Sequence, residues 1–85
     1  MAYQVELLPS AHRDLTRLPK ALQIRIAVRL RELADDPRPS GVVKLAGAEN
    51  LWRIRTGNYR VIYEIHDDRL VVLVLRVAHR KDVYR

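Results

Sequence analysis

Leu51-Trp52-Arg53-Ile54-Arg55-Thr56-Gly57-Asn58-Tyr59-Arg60-Val61-Ile62-Tyr63-Glu64-Ile65 switches the chain into strand periodicity. Two runs, 51–55 and 58–65, are rich in β-branched and aromatic residues and flank the turn-forming Thr56-Gly57-Asn58. A third run, 69–77, follows the turn-like His66-Asp67-Asp68. Connections this short join neighbouring antiparallel strands, which predicts a three-stranded meander. The third run is apolar at nearly every residue, which predicts a central strand covered on both faces.

Upstream the period is helical. Residues 3–8 are β-rich and stop at Pro9, predicting a strand, and Ser10 is placed to cap a helix starting at Ala11. Ala11, Leu15 and Leu18 recur at helical spacing until Leu18-Pro19 ends the run, and Pro19 suits the first turn of a second helix. Leu22, Ile26, Leu30 and Leu33 form an apolar stripe, with Arg25, Arg29 and Glu32 on its wet side. Asp35-Asp36-Pro37-Arg38-Pro39 breaks that helix, so the pair reads as an αα-hairpin. A loop holding Pro39, Ser40, Gly41 and Gly47 follows, interrupted by a short apolar stretch at 42–45. Without repeats, low-complexity tracts or a linker, residues 1–85 read as one domain. Its expected class is α+β: an N-terminal strand, an αα-hairpin, then a three-stranded antiparallel meander, with the helices packed on one sheet face.

Composition narrows the chemistry. The chain has 85 residues, 48% of them hydrophobic, which is enough for one small core. Charged residues reach 31%, and no apolar segment approaches the ~20 residues that cross a bilayer. No membrane role is expected. The N-terminal residues lack the basic and apolar pattern of a secretory signal, so a cytoplasmic location is expected. Cysteine is absent, which excludes disulfides, thiolate metal sites and cysteine nucleophiles. The three histidines are too scattered for a metal-ligand motif, so neither metal nor cofactor is expected.

The net charge is +6, and thirteen of the sixteen cations are arginine, whose planar fork suits phosphate. Residues 1–50 carry eight cations against six acids, a net +2, while residues 51–85 carry eight against four, a net +4. A polyanion partner bound by the C-terminal part follows. Strand alternation puts Arg53 and Arg55 on one side of their strand, and pairing across the turn can bring Arg60 beside them. Three cations without an intervening acid repel each other unless an anion sits among them; a solvated sheet face is the bland alternative. The tail Ala78-His79-Arg80-Lys81-Asp82-Val83-Tyr84-Arg85 can fold over the sheet and bring His79, Arg80 and Tyr84 towards that face. Phosphodiester chemistry needs proton-transfer groups, for which His79 and Tyr84 are candidates, and cations to hold developing charge. A disordered basic tail is the competing reading.

The combination of residues 51–65, the apolar run 70–77 and Ala78-His79-Arg80-Lys81-Asp82-Val83-Tyr84 resembles the RelE/ParE superfamily of bacterial toxin–antitoxin toxins. The N-terminal strand and helix hairpin fit the same plan, so the resemblance spans essentially the whole chain. It implies a microbial-RNase-like fold. For the RelE branch it implies a ribosome-dependent endoribonuclease that cleaves mRNA in the ribosomal A site by attack of a 2′-hydroxyl on the neighbouring phosphodiester. The family's catalytic basic positions fall on Arg53, Arg55, Arg60 and Arg80, and its catalytic tyrosine on Tyr84. Arg53 and Arg55 stand where well-known members carry lysine. Arginine is a poor proton-transfer group, so base duty passes to Tyr84, to His79, or to an arginine in an unusual environment. The RNA-binding set is then Arg53, Arg55, Arg60, Arg80 and Lys81, and the implied catalysis uses no metal.

ParE-type relatives share the scaffold but inhibit DNA gyrase without this set, so retention of Arg60, Arg80 and Tyr84 argues for the RelE branch. An RNA-binding module without catalysis is a third reading. The resemblance also implies a cognate antitoxin, and the +6 charge suits one that is acidic and orders on binding. The other implied partners are the ribosome and mRNA.

Overall fold

The computed structural model describes residues 2–83. In chain order the elements are β1 (Gln4–Leu7), α1 (Pro9–Thr16), α2 (Lys20–Asp35), β2 (Val43–Lys44), β3 (Trp52–Thr56), β4 (Tyr59–His66), β5 (Val71–His79) and α3 (Arg80–Val83). The architecture is the expected α+β, and the strands form one five-stranded sheet in the order β1-β5-β4-β3-β2. The β3-β4-β5 meander is antiparallel, while β1 lies parallel to β5 with Gln4 beside Val71 and Leu7 beside Val74. The helical hairpin therefore carries the chain from one sheet edge to the other.

One strand has no counterpart in the sequence reading. The stretch at 42–45 forms β2 rather than loop, pairing Val43 with Arg53 and Lys44 with Trp52. Gly41 and Gly47 take left-handed backbone (φ 89° and 82°) on either side of it and allow the chain to reverse twice. The caps also differ from expectation. Helix α1 starts at Pro9, whose missing N–H costs nothing in a first turn, with Leu8 as its N-cap. Ser10 therefore does not cap the helix, and its hydroxyl donates to the Leu75 carbonyl at 2.7 Å. Pro19 sits at the N-cap of α2 rather than inside its first turn.

Ile26, Leu30 and Leu33 of α2 are buried as the stripe predicts, against Ile54, Val61, Tyr63, Ile65, Val72 and Val74 of the sheet. Each such side chain contributes ~1.5–3 kcal/mol by leaving water. Tyr63 is fully enclosed and donates its hydroxyl to the Pro37 carbonyl at 2.7 Å, pinning the loop after α2 to the sheet. Burial pushes that phenol up to about 12.

Strand β5 is central but not covered on both faces. Val72 and Val74 are buried, whereas Val71, Leu73 and Leu75 on the other side are half-buried, because the helices lie on one face only. Leu75 is extra in the ladder: Ile62 pairs with Arg76 and Tyr63 with Val74, which leaves a bulge between them. Beyond Val74 strand β1 has ended, and α1 takes over the exposed edge of β5. Val77 N–H donates to Asp14 Oδ2 at 2.9 Å, and Arg76 Nε donates to the same oxygen at 2.7 Å.

Candidate functional site

The two-residue turn between β3 and β4 places the arginines. Gly57 occupies its first central position with φ 60°, the geometry that lets two right-twisted strands close without splaying. The register that follows sets Arg55 directly opposite Arg60, and Arg53 opposite Ile62. Ile54, Val61 and Tyr63 point into the helical core, so Arg53, Arg55 and Arg60 share the face turned away from the helices. The juxtaposition expected from strand alternation is present.

Arg60 is 5% exposed and is the one charged residue buried among the described residues. Its Nε is enclosed with no hydrogen-bond acceptor among them. Neither Arg55 nor Arg60 forms an ion pair there; the ion pairs join Arg29 to Glu32, Arg38 to Asp67, His66 to Glu64 and Arg76 to Asp14. A guanidinium cannot shed its proton to escape burial. A buried cation facing a second cation costs several kcal/mol unless an anion neutralises both. The arrangement is chemically suited to a phosphodiester, held by forked N–H donors.

The tail is partly where the sequence suggests. Arg80 opens α3, and its backbone N–H donates to the Asn58 carbonyl at 2.8 Å, which brings it to the β3–β4 turn. Lys81 follows it on the exposed surface. His79, expected near the arginines, stands on the opposite side of the sheet. It pairs with Tyr59, their rings meeting edge to face with centroids 5.3 Å apart. The cause is parity: Ala78 is the neighbour of Arg60, so the next residue must point away. His79 Nδ1 accepts the Lys81 N–H at 3.2 Å, which further ties the ring to its own turn. Tyr84 lies outside the described residues.

Arg25 joins the turn without a sequence signal beyond helical polarity. It projects from α2 towards Gly57, and its Nη2 stands 3.8 Å from where a side chain there would begin. At the other end of the sheet, Arg38 links Asp67 to the Trp52 ring, 5.0 Å from its centroid. The Arg38 guanidinium and the Tyr3 hydroxyl, both donating to Asp67, hold its carboxyl down at about 2. Among the described residues no three His, Asp or Glu side chains assemble as a metal site.

A family model described as the ParE toxin of the type II toxin–antitoxin system parDE matches residues 5–84. The toxin RelG of Mycobacterium tuberculosis is 34% identical over 86 residues, spanning 100% of this chain and 99% of that protein. The mRNA interferase toxin RelE of Escherichia coli K12 is 28% identical over 83 residues, spanning 95% of this chain and 86% of its own. The toxin of the archaeal RelE–RelB complex from Pyrococcus horikoshii OT3 superposes with a TM-score of 0.84 at 32% identity, covering 98% of this chain and 100% of that one.

Proposed function

The chain belongs to the ParE toxin family of type II toxin–antitoxin systems as a RelE-type toxin, and from this we propose that its arginine face cleaves ribosome-bound mRNA. The protein is an mRNA interferase, an endoribonuclease whose partner is a cognate antitoxin. The observation carrying the site assignment is the Arg55–Arg60 pair: two cations directly opposed, one of them buried, and neither in an ion pair among the described residues.

In the proposed reaction the 2′-hydroxyl loses its proton as its oxygen bonds to the adjacent phosphorus. The bond from phosphorus to the 5′-oxygen breaks, and that oxygen leaves with a proton, giving a 2′,3′-cyclic phosphate and a 5′-hydroxyl. Arg53, Arg55 and Arg60 orient the phosphate and neutralise it, and Arg80 holds the charge that develops on its non-bridging oxygens. Proton transfer falls to Tyr84, on the family resemblance. His79 loses that role because its ring faces away from the arginines. The antitoxin is proposed to be acidic and to order on binding, with the +6 charge of the toxin supporting both.

Primer extension on mRNA translated in the presence of the protein tests this. An Arg60→Ala, Arg80→Ala double variant should leave almost no cut products, and cleavage at the wild-type rate would overturn the assignment. The family model's ParE name supports a second reading, inhibition of DNA gyrase. Loss of supercoiling activity without mRNA cleavage would establish that reading instead.

A further inference from the structure

We propose that Arg25 binds an RNA backbone phosphate next to the scissile one, carrying the strand round the β3–β4 turn from the arginine face of the sheet to the helical face. The inference rests on the endonuclease reading and extends its binding surface to a residue far away in sequence. Three observations carry it. Arg25 Nη2 comes within 3.8 Å of the position a Gly57 side chain would occupy, so the guanidinium packs against the turn itself. Arg55 and Arg60 flank that turn on the strands, and Arg80 is tied to it through the Asn58 carbonyl. Arg25 has no ion pair or hydrogen bond among the described residues, whereas Arg29, one helical turn on, is neutralised by Glu32 at 2.8 Å.

Four arginines on α2, β3, β4 and α3 thus stand at one hairpin turn, and no acidic residue occurs between Asn50 and Tyr63 in the sequence. Like charges gathered this closely raise one another's energy unless anions intervene. One phosphate between Arg55 and Arg60 cannot also serve Arg25, which reaches the turn from the helical side. A polyanion supplies the second phosphate at no further cost of association, because it is already tethered by the first.

The test uses the full chain and measures the salt dependence of binding. The probes are a fully 2′-O-methylated RNA oligonucleotide, which lacks the attacking hydroxyl, and ribosomes programmed with the same sequence. Arg25→Gln should lower the slope of log K against log salt by ~0.7, the value for one phosphate contact on a single strand. Arg25→Lys should restore it, since a point charge still binds phosphate. The loss in cleavage should fall on KM more than on kcat, as removal of binding energy common to ground and transition states requires. A change with the oligonucleotide assigns the phosphate to mRNA as proposed, whereas a change with programmed ribosomes only would move the contact to ribosomal RNA and overturn the proposal. An unchanged slope on both overturns the proposal. So does an equal drop in Arg29→Gln, which would trace the effect to net charge. Failure of the wild-type protein to cleave mRNA at all would instead count against the endonuclease reading.

Discussion

Arg55 and Arg60 face each other across a two-residue hairpin on the side of the sheet turned away from helices α1 and α2. Directly opposed like charges destabilise an antiparallel pair. Here the geometry worsens the conflict, because Arg60 is almost fully enclosed. Neither residue can relieve it by local slippage: a one-residue shift would turn Ile54, Val61 and Tyr63 out of the core. The core therefore holds two opposed cations with no ion pair among the described residues, an arrangement that a bound anion makes favourable.

Function and stability should accordingly separate at Arg60. Arg60→Leu removes a buried charge and keeps most of the packed volume, so its thermal midpoint should equal or exceed that of the wild type. Its mRNA cleavage should fall roughly 10²-fold or more if the guanidinium acts on the transition state. Paired melting curves and primer extension check this, and a strongly lowered midpoint with normal cleavage would make Arg60 a structural residue.

Anions should stabilise the folded toxin. Inorganic phosphate at about 100 times its dissociation constant adds about 2.7 kcal/mol, and each kcal/mol moves the midpoint by roughly 4–8 °C in a domain of this size. Phosphate also strengthens apolar burial generally, so the informative quantity is the difference between the wild type and Arg55→Gln, Arg60→Gln. The double variant should retain only the general part. Equal shifts in both proteins would place the anion elsewhere or nowhere.

Strand alternation around a Gly-containing turn reads directly from residues 51–65, which is why the arginine face and the meander are legible in the sequence. The apolar stripe of α2 is legible for the same reason, since its period is local. Four features are not. Strand β2 is two residues long, and its pairing with β3 depends on reversals at Gly41 and Gly47. The parallel β1–β5 contact joins residues almost seventy positions apart, and nothing in either segment names its partner. His79 stands away from the arginines because one residue of parity decides its face, and a strand running on to that position sends the ring back over Tyr59. Arg25 meets the turn only through tertiary packing, so in the sequence it is indistinguishable from any solvated helix position.

Asp14 is the residue on which the outer half of β5 depends. Its carboxylate accepts both the Val77 N–H and the Arg76 side chain at the edge that β1 leaves uncovered. Asp14→Ala strands the Val77 donor and should cost about 1–3 kcal/mol. Hydrogen exchange gives the sharper readout: the Val77 amide should lose protection while the Val72 and Val74 amides, in the core of the strand, keep theirs. Unchanged protection at Val77 would show that another acceptor holds the edge.

Acid stability should report on Asp67 at the opposite end of the sheet. Hydrogen bonds from Arg38 and then Tyr3 hold its carboxyl at about 2, below the ordinary 3.8. A carboxyl whose value is lowered by folding stabilises the native state fully above its unfolded value, and that contribution disappears as the pH falls through the folded one. The relevant window therefore runs from about pH 4 down to about pH 2. Asp67→Asn keeps a side chain that can accept one hydrogen bond but cannot titrate, so its urea midpoint should be lower than that of the wild type at pH 5 and converge with it by about pH 2. Parallel profiles across this range would mean that the Arg38–Asp67–Tyr3 network adds nothing to the stability of the fold.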